Sequence, residues 1–136
     1  MSVNEKKLED LKQKLYRLHF LLTEQQNEET KVAGINQFVT CFSSMIDNLK
    51  DFLTTEYGIN VTDDKDVVEN SFEYNLFNEN TLVEMRNMLQ AKENAEKNQK
   101  NFIIYEEIQN NYARLIQMIH DLLKRMGEEA TDDDND

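Results

Sequence analysis

Apolar residues recur along the first segment at Leu8, Leu11, Leu15, Leu18 and Leu22, in steps of 3, 4, 3 and 4. That spacing is the single stripe of an amphipathic helix. Lys6, Lys7, Lys12, Lys14 and Arg17 lie mostly off the stripe. The pattern predicts a helix over about Asn4–Gln26, ended by the polar stretch Gln25–Thr30. The second segment carries Ile35, Phe38, Val39, Phe42, Met45, Ile46, Leu49, Phe52 and Leu53. Its stripe is wider, because neighbouring positions are apolar together, so this helix should be the more buried one. It should stop at Gly58, which suits a left-handed position after a helix, with Ile59 closing the contact beyond it.

A polar loop over Asn60–Asp66 follows, in which Thr62 or Asp63 can cap the next helix. That short helix, about Asp64–Phe77, turns Val67, Val68, Ser71, Phe72 and Leu76 inward. Asn78-Glu79-Asn80 marks a break, and Thr81 is the expected cap of a helix holding Leu82, Met85, Met88 and Leu89. From Gln90 to Lys100 apolar residues nearly vanish, which fits a solvated helix end or an exposed loop. The last helix carries Ile104, Ile108, Tyr112, Leu115, Ile119, Leu122 and Met126 and is expected to run from about Asn101 to a stop at Gly127. Three long helices and a broken pair standing for the fourth predict an all-α fold, an antiparallel up-down four-helix bundle with one broken helix. Residues 1–127 are expected to form one domain and 128–136 a disordered acidic tail.

Composition agrees with helices. The 136 residues contain no Pro and only three Gly, too few punctuators for a turn-rich β sandwich or barrel. A single Cys cannot form an internal disulfide. Charge changes the picture more: 15 Lys and Arg face 27 Asp and Glu, for a net charge of −12. Nucleic-acid binders present a basic footprint, so neither nucleic acid nor an anionic membrane is the expected partner. No apolar leader or membrane-length run appears, and with the free Cys this reads as a cytoplasmic protein.

Candidate chemistry is sparse. A ferritin-like di-iron site needs Glu three residues before each His, but Tyr16 and Gln117 occupy those positions before His19 and His120. Arg114 and His120 have the Arg-x5-His spacing of one class of helical ribonucleases. In a continuous helix six residues leave the two side chains about 120° apart, so they cannot converge on one phosphate. Cys41 has no neighbouring His to activate it and reads as a small apolar filler. Asp63-Asp64-Lys65-Asp66 lacks the Gly and terminal Glu of a calcium loop. No catalytic residue, metal ligand or cofactor follows from these motifs.

The stretch Ile35–Ile59 resembles the second helix of the nucleotidyltransferase substrate-binding subunits, which are HEPN-related four-helix bundles. Phe38, Phe42, Leu49, Lys50, Phe52, Leu53 and Gly58 carry the likeness, and Asp66–Phe72 stands where the family has a short helix. The resemblance covers about Leu8–Met126. Where the family has two acids this chain has Val39 and Ser43, and where it has Trp-Lys this chain has Ile46 and Asp47. Its Arg-Asn-x3-His-x-Tyr motif aligns with Lys92, Glu93, Lys97 and Gln99. Core positions match and chemical positions do not. The resemblance therefore implies a non-enzymatic interaction module, a homodimer pairing through the wide face of the second helix, with a nucleotidyltransferase-like protein as a further partner. Asp47, Lys50, Lys92 and His120 are the candidate partner or ligand contacts. The alternative is a HEPN-type ribonuclease toxin or a nucleotide-binding accessory subunit.

Overall fold

The computed structural model describes residues 4–134, with side chains through Glu129. Helix α1 spans Glu5–Thr23, and the Asn4 side chain caps it by accepting from the Lys6 and Lys7 amides. Leu8, Leu11, Leu15 and Leu18 are buried as the stripe predicts. At the end of the helix it is Leu21 that is buried, while Leu22 is half-buried.

Helix α2, Glu28–Tyr57, starts earlier than its apolar stripe. Asn27 and Thr30 form a reciprocal capping box, so the polar stretch Gln25–Thr30 expected to end the first helix also contains the start of the second. Gly58 ends the helix at φ 66°, the left-handed conformation its sequence position implied. Ile35, Phe38, Cys41, Phe42, Met45, Leu49 and Leu53 are each fully buried. The reason is position: α2 packs against every other helix of the fold. Its wide stripe is therefore consumed within the chain. This corrects the expectation that the α2 stripe is a homodimer surface, because those side chains already face α1 and the later helices.

Helices α1 and α2 run antiparallel. Asn48 Nδ2 donates to Lys7 O at 3.3 Å near one end, and Gln37 Nε2 donates to Lys14 O at 3.0 Å further along. Side-chain donors at the contact thus fasten one helix to the backbone of the other, which fixes their register as well as their contact.

Helix α3, Asp64–Glu73, is capped by Asp63, and helix α4, Glu79–Lys97, by Asn78 rather than Thr81. Lys92 meets Asp64 while Arg86 meets Glu69, so α3 and α4 lie side by side and antiparallel. They are not two pieces of one broken rod, which corrects that part of the expected fold. Tyr74 returns the end of α3 to the end of α2, its ring centroid 4.5 Å from that of Tyr57. The apolar-poor stretch after Gln90 remains helical to Lys97, with Ala91 and Ala95 buried one turn apart.

The last rod is one continuous helix in three parts. Helix α5, Phe102–Glu107, passes into a π-helical turn over Ile108–Tyr112 and then into α6, Ala113–Asp134. The Ala113 amide donates to Ile108 O, the five-residue spacing of a π turn. One extra residue in that turn keeps Ile104, Ile108, Tyr112 and Ile116, all spaced by four, on the buried side. Gly127 does not stop the helix, which continues to Asp134. The expected disordered tail over 128–136 is thus helical backbone as far as 134, and Asn135 and Asp136 lie outside the described residues. No strand occurs among the described residues.

Candidate functional site

The four candidate contact residues are not brought together. Asp47 and Lys50 are both exposed on α2. Asp47 sits 3.4 Å from Lys7 Nζ, which also approaches Asp51 at 3.6 Å, so its charge is spent on fastening α1 to α2. Lys92 lies on the other side of the fold, between α4 and α3. Its ammonium is 2.9 Å from Asp64 Oδ2 and 3.1 Å from Glu96 Oε1. Partial burial pulls its pKa down, but the hydrogen bonds and charges of Asp64 and Glu96 outweigh that and hold it above the ordinary lysine value. Lys92 therefore stays charged, and its stabilising contribution is full below the ordinary lysine pKa and fades only as pH rises through the raised value. A lysine neutralised by two carboxylates is a brace between helices, not a free hand for a ligand.

His120 is 4% exposed, its Nδ1 3.1 Å from Asp121 Oδ1. Burial acts to raise the Asp121 carboxyl, and hydrogen bonds with His120 and Gln117 hold it below the ordinary aspartate range. Arg114 is exposed, and the helix between the two residues is regular α from Ala113 onward. The two groups of the Arg-x5-His spacing thus stand apart, one in solvent and one in the core.

Cys41 is fully buried, its Sγ donating to Lys14 O at 3.3 Å. Burial pushes the thiol up to about 12, so almost none of it is thiolate near neutral pH. The expected result with a thiol reagent at about pH 8 is labelling no faster than the protein opens. Labelling of the folded protein at the rate of free cysteine would mean that α2 turns its Cys41 face toward solvent.

A constellation that sequence spacing does not reveal lies between α1 and the beginning of α6. Tyr16, His19 and Thr23 on α1 face Gln109, Arg114 and Gln117 across a groove of about 540 Å³. Leu15, Leu22 and Ala113 supply its apolar lining. The π turn shapes one wall. In an uninterrupted helix Gln109 and Gln117 point about 80° apart, and one extra residue in the turn brings them to within roughly 20° of a common line. Gln109 Nε2 is itself held, donating to the hydroxyl of buried Tyr105, which in turn donates to Gln26 at the α1–α2 turn.

No family model and no curated protein matches the sequence. The fold does have a solved counterpart, the crystal structure of ttk003001694 from Thermus thermophilus. The two superpose with a TM-score of 0.74 at 19% sequence identity, over 83% of this chain and 98% of that one. A likeness at that identity establishes a shared all-helical architecture and leaves chemistry to the residues themselves. Among the described residues no three His, Cys, Asp or Glu side chains cluster to hold a metal ion, and no helix is long and apolar enough to cross a membrane.

Proposed function

We propose that this chain is a non-enzymatic helical interaction module, a homodimer built like the nucleotidyltransferase substrate-binding subunits. In this reading α1, α2, α4 and the α5–α6 rod make an up-down four-helix bundle, and α3 is laid against its α2–α4 side. The observation that carries it is the division of the only Arg-to-His pair at ribonuclease spacing. His120 is buried against Asp121 while Arg114 is exposed. Metal-free phosphodiester cleavage needs a proton-transfer group and a cation on one phosphate, and this helix sends them to different places.

With the α2 stripe covered, the pairing surface is assigned to the α4 and α5–α6 side. Val83 and Met118 are exposed there, and Ile103 is 74% exposed. Asn111 donates to Glu84 between the same two rods, so this side is a firm surface on which a second copy can rest. A nucleotidyltransferase-like protein would be the hetero-partner for it. The alternative, a HEPN-type ribonuclease toxin or nucleotide-binding accessory subunit, requires His120 to act.

Light scattering and a ribonuclease assay on the same preparation test both. The expected results are a dimer mass, a monomer for Ile103→Asp with unchanged helix content, and no RNA cleavage by the parent or by His120→Ala. A monomeric parent would end the pairing assignment. Cleavage that copurifies with the protein and disappears in His120→Ala would replace the module with the enzyme.

A further inference from the structure

The groove between α1 and α6 departs from the electrostatics of the rest of the molecule. Of 136 residues, 27 are acidic, yet none of the side chains lining this groove is Asp or Glu. Other clefts follow the composition. Asp10 and Asp47 line the one between α1 and α2, Glu69 and Glu93 the one between α3 and α4, and Glu107 the one between α4 and α5. In the α1–α6 groove the basic groups are instead Arg114 on one wall and His19 on the other.

Neither is neutralised. The half-buried Lys7 and the exposed Arg86 and Lys100 sit within ion-pair distance of carboxylates, whereas exposed residues such as Arg17, Lys50 and Lys97 make no ion pair to a described residue. Arg114 has no such carboxylate among the described residues. Its Nη2 donates to Asn110 O at 3.0 Å, which steadies the guanidinium and leaves its other N–H groups free. The His19 ring makes no hydrogen bond or ion pair to any described residue. A steadied guanidinium without a counter-ion, in a protein of net charge −12, is complementary to an anion from outside.

The rest of the lining narrows the ligand. A carboxylate offers two oxygens, which the fork of one arginine satisfies alone. A phosphate monoester offers three terminal oxygens, and donors on both walls can then share them: Arg114 from α6 and His19 from α1, the Thr23 hydroxyl being already donated to the α1 backbone. Leu15, Leu22 and Ala113 need an apolar body to cover them, and the Tyr16 ring, 58% exposed, stands beside it. A groove of about 540 Å³ holds a small organic molecule. A polyanion such as RNA is disfavoured, because one arginine cannot offset the repulsion of an acidic body. We propose that the α1–α6 groove binds a small phosphate ester, its phosphate between Arg114 and His19 and its apolar body on Leu15 and Leu22 beside Tyr16.

This inference is independent of the pairing surface, which lies on the α4 side, and of catalysis. NMR titration of the full chain with phenyl phosphate, inorganic phosphate and phenol tests it. The expected result is saturable shifts at His19 and Arg114 with phenyl phosphate, and weaker binding by either fragment alone. Arg114→Gln should weaken phenyl phosphate about tenfold or more, the loss of a charged hydrogen bond. Arg86→Gln, at the α3–α4 cleft, should leave it unchanged. Arg114 is exposed, so the variant's dispersed spectrum reports that it folds. Equal binding by Arg114→Gln, equal binding of phenol, equal binding of inorganic phosphate, or no saturable shift at millimolar phenyl phosphate would each overturn the proposal.

Discussion

Phe42→Ala lowers the unfolding free energy by about 3–5 kcal/mol, the range for removing a buried aromatic ring and leaving a cavity. Phe42 is fully buried on the helix that every other helix packs against. Its ring centroid is 6.3 Å from that of Phe38, and Phe38 stacks on Tyr112 of the π turn at 5.6 Å and 22°. The site cannot collapse cheaply, because closing the void would draw α2 away from partners on several sides. Urea unfolding measures it. The midpoint should fall with the slope unchanged, and a midpoint equal to that of the parent would mean that Phe42 does not face the core.

Gly34 gives the second large effect, and its sign opposes ordinary helix propensity. Replacing a mid-helix Gly by Ala normally stabilises by up to about 1 kcal/mol. A Cβ built on Gly34 would stand 2.9 Å from Tyr105 Cε2 and 3.5 Å from Cδ2. The tyrosine cannot swing aside freely, since it is 2% exposed and its hydroxyl is engaged by Gln26 and Gln109. Gly34→Ala is therefore expected to destabilise, and Gly34→Val to cost about 1–3 kcal/mol through overpacking. In a Tyr105→Leu background the ring is gone and Gly34→Ala should become neutral or stabilising, a non-additivity that a double-mutant cycle reads directly. Additive effects would show that the two residues do not touch.

The helices were legible wherever large apolar residues set the period. Leu8 to Leu18 and Ile35 to Leu53 lie on the faces their spacing implied. Legibility failed where the side chains were small or the backbone irregular. Ala91 and Ala95 continue the buried stripe of α4, but alanine is too weak a signal to separate a helix from a polar loop. The π turn left only the repeated step of four from Ile104 to Tyr112, which an α-helix with a wide stripe also produces. The order of α3 and α4 is a tertiary matter, settled by pairs such as Lys92–Asp64 that no local pattern announces. The groove is hidden for a similar reason. Spacing along one helix pairs Arg114 with His120, six positions on, whereas the histidine it shares a groove with is His19, near the other end of the chain.

The central placement of α2 bears on how the protein comes apart. In many helical proteins a peripheral hairpin opens while the rest stays closed, and amide hydrogens exchange there first. Here the packing of α1, α3, α4, α5 and α6 converges on one 30-residue helix. Each departure strips solvent protection from that helix and weakens the support of the remaining ones. Amides in the middle of α2 should consequently exchange only when the whole chain opens, and the domain should melt as a single cooperative unit.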